Sequence, residues 1–300
     1  MAKKLKGIFP ALLTACSDSG EVDIESEKRL VTFLIEKGVH GLTPMVMGGE
    51  FYKFSDEERR KVIEIVVDEA NGKVPVIAGT SHSGTDPTVK LSRHAEEAGA
   101  DAIIVMPPYF SAIESSLDVE THFKAVSRAV DIPLMIQDDD GEVTGVHMCP
   151  DLIAKMAEEN DNIRYIKVEG LHSMGKIQQI KNLAGDKLTV FGGMGGKNML
   201  EELALGSEGN IPGAAIPEMF VGPFEDFMRG DREKAWTTFD WYRPFLEFCL
   251  LNAISWVEIE MTTLRMRGVI ASTYRRGPSV PLNKRATKEL EAVLRRIKIL

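Results

Sequence analysis

Ile163-Arg164-Tyr165-Ile166-Lys167-Val168-Glu169-Gly170 reads as a buried β-strand with a lysine close to its end. Alternate residues of a strand share a face, so Tyr165, Lys167 and Glu169 point the same way, with amine and carboxylate about 6–7 Å apart along one wall at ~3.3 Å per residue. A lysine among apolar neighbours is costly unless it is paired or used, because desolvation favours the neutral amine, and the neutral amine is a nucleophile. Two readings of Lys167 therefore stand side by side: an ion-paired lysine inside a barrel, and a covalent catalyst.

Working outward, similar short apolar, β-rich runs recur about every 25 to 30 residues, at 7–16, 41–47, 74–80, 102–108, 133–137, 163–169, 188–193 and 209–213. Between them lie segments with helical spacing and charged faces, at 24–37, 55–71, 85–98, 117–129, 149–159, 174–183 and 198–205. Strands alternating with helices predict a parallel α/β fold. With no dinucleotide fingerprint in the first unit, the pattern favours a closed (β/α)8 TIM barrel over a doubly wound sheet. After Gly213 the strand signal stops, and 217–230, 231–251, 253–266 and 283–300 all read as helices. The expected organisation is a barrel over 1–225 with a C-terminal helical extension over 226–300 packed on it.

A chain of 300 residues that is 44% hydrophobic can bury a large core. Its net charge of −9 argues against a nucleic-acid or anionic-membrane surface. Cys16, Cys149 and Cys249 are odd in number and far apart, so neither a disulfide framework nor a zinc knuckle is expected, and a reducing cytoplasm is the expected home. Basic residues 1–6, an apolar run and Leu13-Thr-Ala-Cys16 resemble a lipoprotein leader, but the run is short and Pro10 interrupts it. A first strand is the expected reading, and no run of ~20 apolar residues suggests a spanning helix.

Barrel active sites lie at the C-terminal ends of the strands, and the unusual residues fall there in succession. Met47-Gly48-Gly49-Glu50 ends the second strand, Thr80-Ser81-His82 the third, Pro107-Pro108-Tyr109-Phe110 the fourth and Gln137-Asp-Asp-Asp-Gly141 the fifth. Lys167-Val-Glu169 ends the sixth, Gly192-Gly-Met-Gly-Gly196 the seventh, and Ile211 stands at the rim of the eighth. Some motifs lead elsewhere. Gly195-Gly-Lys197-Asn198 resembles a phosphate loop, but position 191 is not glycine and Asn198 stands where Ser or Thr would bind magnesium. Asp138-Asp-Asp-Gly141 resembles a calcium loop without its later glutamate, and a solvated acidic turn is expected instead. Gly79-Thr-Ser-His82-Ser83 lacks the last glycine of a nucleophile elbow. His82 is read either as a site residue or as a strand-end structural histidine. No two histidines stand at metal-ligand spacing, so no metal is expected.

These residues, from Gly7-Ile-Phe-Pro10 to nearly the end of the chain, resemble the dihydrodipicolinate synthase and N-acetylneuraminate lyase family of class I aldolases. The resemblance implies a barrel with a helical extension, a homotetramer, and a Schiff base between a strand-six lysine and a small 2-keto acid. Tyr165-Ile-Lys167 matches the family's lysine, and no cofactor beyond that imine is implied. The departures bear on the substrate. The family's strand-two Gly-Thr-Thr-Gly-Glu reads Val46-Met-Gly-Gly-Glu50 here, so the hydroxyls that hold the keto acid's carboxylate are missing. Its Tyr-Tyr reads Tyr109-Phe110. Its strand-five catalytic tyrosine is replaced by Gln137, and Val143 falls near its arginine. Glutamine has no acidic proton near neutrality and cannot act as general acid or base, which argues against lysine-pathway synthesis and sialic acid cleavage. Gln on strand five with Lys-x-Glu on strand six resembles the subgroup of L-2-keto-3-deoxyarabonate dehydratase. Gly49-Glu-Phe51 looks more like certain 2-keto-3-deoxygluconate aldolases.

The resemblance thus implies a dehydratase of a 2-keto-3-deoxy sugar acid. Lys167 forms the imine, and Glu169 moves the proton, directly or through a water held by Tyr109 and Gln137. Gly48, Gly49 and the Gly192 loop bind the carboxylate through backbone N–H groups, with Glu50, Ser81, His82 and Ile211 completing the substrate site. A pyruvate-releasing aldolase and a non-catalytic sensor are the alternatives.

Overall fold

Apolar runs too short for helices pair side by side into one sheet in a computed structural model that describes residues 4–110, 113, 115–251 and 256–300. Seven parallel strands, β1 (Gly7–Ile8), β2 (Ile77–Gly79), β3 (Ala102–Val105), β4 (Leu134–Asp138), β5 (Ile163–Val168), β6 (Thr189–Gly192) and β7 (Gly209–Asn210), lie in the order β1-β7-β6-β5-β4-β3-β2. The expected second strand over 41–47 forms only two parallel bridges, Ala11 to Thr43 and Leu42 to Val76. Those bridges join the two outer strands of the sheet and give the fold its TIM-barrel form. Proline explains why they are no longer. Pro10 and Pro44 have no N–H for a ladder, and Met45 turns left-handed at φ 56°. Pro10 likewise cuts the expected 7–16 strand to two residues, although its carbonyl still accepts from Thr43 N–H at 3.1 Å.

Phe9, Ile104, Met135, Tyr165, Phe191 and Ile211 belong to one buried cluster inside the barrel. Tyr165 packs there two residues before Lys167, and its hydroxyl accepts the Leu5 N–H at 3.0 Å. Register sets what stands beside the lysine: Gln137 on β4, Lys167 on β5 and Phe191 on β6 are abreast.

Helices cover the outside: α1 (Ile24–Glu36), α2 (Asp56–Ala70), α3 (Thr85–Glu97), α4 (Ser116–Ser127), α5 (Pro150–Glu159), α6 (Ser173–Ala184), α7 (Met199–Ala204) and α8 (Glu218–Met228). Their ends follow local chemistry. Ser55 and Glu58 form a reciprocal capping box at the start of α2, and Asn71 ends it in the left-handed conformation. The extension adds α9 (Arg232–Leu251), α10 (Trp256–Met266) and α11 (Lys284–Arg296). Residues 253–255 of the helix expected over 253–266 lie outside the described residues. Phe239, Phe245, Leu264 and Leu290 share one apolar core with barrel residues such as Ile8, Ile103 and Val190, and position 225 falls within α8. Among the described residues, no helix is long and apolar enough to cross a membrane.

Candidate active site

At the C-terminal end of β5, Lys167 Nζ lies 2.7 Å from Glu169 Oε2, and the lysine is 4% exposed. Two donors fix the carboxylate. Gln137 Nε2 donates to Glu169 Oε2 at 3.1 Å, and the Met194 N–H donates to Oε1 at 2.7 Å. Met194 also accepts from Gly170 N–H through its sulfur at 3.2 Å, which ties the turn after β5 to the turn after β6. Glycine at 193 makes this approach possible, since a Cβ there would stand 2.6 Å from the Glu169 side chain. A nucleophile held against an oriented proton acceptor is the arrangement that amine catalysis requires.

The pair opens into a cleft of about 320 Å³ whose walls include Met47, Gly48, Met194, Gly195, Lys197 and Ile211. Trp256, the first residue of α10, lies across it. A Cβ on Gly48 would come within 3.3 Å of the indole, and one on Gly195 within 3.4 Å of its Nε1. Cys249 also lines the cleft, and burial pushes its thiol up, so it stays a neutral wall. A larger hollow of about 480 Å³ beside α1 is lined by Glu25, Lys28 and Arg29. It lies on the outside of the helical layer, away from Lys167.

Of the residues expected at the site, Lys167, Glu169, Gly48 and Ile211 line the cleft, and Gln137 supports it from beside Glu169. The others are held elsewhere. Glu50 is left-handed at φ 52° and turns its buried carboxylate to Lys53 Nζ at 2.8 Å and to both arms of Arg275. Gly49 gives its N–H to Val46 O at 2.9 Å, and its carbonyl accepts from Thr14 Oγ1 at 2.9 Å. Ser81 Oγ accepts Met106 N–H at 2.9 Å. His82 Nδ1 caps the following turn through Gly84 N–H at 3.3 Å. Tyr109 packs edge-on against Phe51 and Phe110, and burial pushes its phenol up while the Arg59 guanidinium opposes the shift. Gly192 accepts from Ile211 N–H at 3.0 Å.

The acidic turn at the end of β4 is only partly solvated, with Asp140 half-buried at its tip. Asp138 and Asp139 are buried; Asp138 pairs with Lys176 Nζ at 2.6 Å, and Asp139 accepts from Gly141, Val143 and Thr144. Buried carboxylates persist only with such partners, so Asp138 and Asp139 brace the end of β4. No group of three or more His, Cys, Asp or Glu side chains among the described residues could hold a metal ion.

Three residues at the site had no role in the sequence reading: Trp256, Lys197 and Glu202. Glu202 on α7 is fully buried behind β6. Its Oε2 accepts from Asn210 Nδ2 at 2.8 Å, and a Cβ on Gly192 would collide with it. Burial, then the nearby Glu169 charge, pushes its carboxyl up to about 8. A carboxyl raised in this way binds a proton in the folded state that the unfolded chain has released. Stability therefore falls as pH rises from the ordinary carboxylate range toward about 8, and is level outside that window. Glu202→Gln should narrow the difference in unfolding midpoint between pH 5.5 and 8.5, with about 2–4 °C for each kcal/mol removed. An unchanged difference, measured by scanning calorimetry, would mean that Glu202 does not hold that proton.

Comparison with known proteins agrees with this geometry. Residues 4–297 match the sequence profile of the Dihydrodipicolinate synthetase family. The chain is 30% identical over 295 residues to L-2-keto-3-deoxyarabonate dehydratase of Azospirillum brasilense, covering 97% of this chain and 94% of that one. It is 31% identical over 296 residues to 4-hydroxy-tetrahydrodipicolinate synthase of Maridesulfovibrio salexigens, covering 97% of each. Among solved structures, YagE of Escherichia coli K12, a prophage protein of the dihydrodipicolinic acid synthase family in complex with pyruvate, superposes with a TM-score of 0.91 at 27% identity. That match covers 98% of this chain and 99% of YagE. A profile spanning almost the whole sequence, a shared barrel and a lysine–glutamate pair at the strand ends lead to one conclusion: this chain is an enzyme, a lyase that belongs to the dihydrodipicolinate synthetase family.

Proposed function

We propose that the cleft dehydrates a 2-keto-3-deoxy sugar acid through a Schiff base on Lys167. The observation that carries this reading is the oriented carboxylate of Glu169, 2.7 Å from Lys167 Nζ and steadied by an amide, Gln137, that can neither donate nor take a catalytic proton. Glu169 accepts the lysine's proton, and the free amine attacks C2 of the keto acid. Glu169 returns that proton to the C2 hydroxyl of the carbinolamine, which leaves as water, giving the protonated imine and a free carboxylate. Glu169 then removes a proton from C3, and the electron pair moves into the C2–C3 bond as the imine becomes an enamine. The enamine returns its pair, a double bond forms between C3 and C4, and the C4 hydroxyl leaves as water with the proton from Glu169. Hydrolysis of the imine restores Lys167 and releases the unsaturated keto acid, which for a pentonate isomerises to the semialdehyde as a C5 proton and the C5 hydroxyl proton move to C3 and C4. The similarity to the Azospirillum dehydratase supports the reading.

A pyruvate-releasing aldolase would instead need a base at the C4 hydroxyl. Incubation with 2-keto-3-deoxypentonate separates the two, with a semialdehyde expected as product. Free pyruvate as the main product would overturn dehydration. Glu169→Gln should lower turnover by about 10²–10⁴-fold, the usual contribution of a general acid–base group, while pyruvate at saturation still gives a borohydride-stable adduct on Lys167. Unaltered turnover in this variant would remove Glu169 from the proton path.

A further inference from the structure

Several backbone donors around the expected carboxylate site are occupied. The Gly49 N–H donates to Val46 O at 2.9 Å, Met194 N–H to Glu169 at 2.7 Å, Gly196 N–H to Gly193 O at 2.9 Å, and Ile211 N–H to Gly192 O at 3.0 Å. The threonine-like hydroxyls are absent as well, since Met47, Gly48 and Gly49 occupy that turn. An anionic ligand still needs a counter-charge. Lys167 and Glu169 neutralise one another, and the remaining charged wall among the described residues is Lys197.

Lys197 is half-buried in a chain of net charge −9, yet its ammonium makes no ion pair or hydrogen bond among the described residues. Buried cations elsewhere are matched: Lys53 with Glu50, Lys176 with Asp138, Arg275 with Glu50 and Glu258. A half-buried cation in a cleft also lined by Met47, Ile211, Pro212 and Trp256 acts through less water than a surface lysine does, so its attraction for an anion is stronger.

We infer that Lys197 is the receptor for the C1 carboxylate of the substrate, taking over the task of the missing hydroxyls. This assignment rests on the Schiff-base reading above and deepens it. One uncompensated positive charge balances one carboxylate, so the substrate class is a monoanionic 2-keto acid whose far end carries hydroxyls rather than a phosphate or a second carboxylate.

The test is borohydride trapping of pyruvate, with the half-saturating concentration read by intact mass in wild type, Lys197→Met and Lys197→Arg. Methyl pyruvate serves as the uncharged probe. Loss of one charge-assisted contact raises half-saturation for pyruvate about 10- to 100-fold in Lys197→Met. Lys197→Arg recovers most of it, and methyl pyruvate binds both forms alike. An unchanged value for pyruvate, with a loss confined to longer substrates, would assign Lys197 to the far end and overturn the inference. An equal loss for pyruvate and methyl pyruvate would make the effect structural and overturn it too. A wild-type protein that gives no adduct on Lys167 sinks the Schiff-base reading first, and the carboxylate assignment falls with it.

Discussion

Lys167→Met should abolish the borohydride-stable adduct with pyruvate and reduce turnover by on the order of 10⁴-fold or more, as removal of a covalent nucleophile does elsewhere. The side chains are similar in length, and the position is walled by β4 and β6, so methionine fits without opening a large cavity. What is lost is the amine. Glu169 keeps its contacts from Gln137 and the Met194 N–H, so its carboxylate is not stranded and the variant should fold. Mass spectrometry after reduction, with circular dichroism to show the fold intact, checks the prediction. An adduct of undiminished yield in the methionine variant would place the imine on another lysine.

Arg275→Met should cost about 3–5 kcal/mol of stability, the usual penalty for removing one partner of a buried ionic network. Arg275 is 5% exposed at its side chain and forks onto Glu50, with a further arm 3.3 Å from Glu258. Its loss leaves two buried carboxylates with Lys53 as the remaining counter-charge on Glu50. Glu50 directly follows the Gly48–Gly49 turn, and Glu258 lies one half-turn beyond Trp256, so one guanidinium ties the segment after that turn to the helix that carries Trp256. Arg275→Lys should recover only part of the loss, since an ammonium cannot replace a planar fork. Urea denaturation measures both variants, and a change below ~1 kcal/mol would show that Lys53 suffices.

How much of this was legible in the sequence depends on whether the deciding partner is near in the chain. The strand period and the Lys167–Glu169 alternation are local, and both gave the barrel and the pair. The second strand, expected over 41–47, is reduced to two bridges because Pro10 and Pro44 cut a ladder that apolar content alone suggests. Glu50 lies in the strand-two motif, but Arg275, its partner, is 225 residues away. No local signal tells a substrate-facing carboxylate from one locked into an ion pair. Three consecutive aspartates look solvated until Lys176 on α6 is folded against them. Lys197 was visible only as part of a failed phosphate-loop match, and Glu202 as half of a Glu-Glu pair on a charged helix. Both acquire meaning from burial, which a sequence does not display.

Trp256 carries a further consequence. On the Schiff-base proposal the nucleophile belongs to the barrel, whereas Trp256, one wall of its cleft, belongs to a helix of the extension. Under that proposal, part of the selection is encoded apart from the reaction. Drift in the extension can lengthen or shorten the accepted carbon skeleton while the strand ends, and the chemistry they perform, stay as they are.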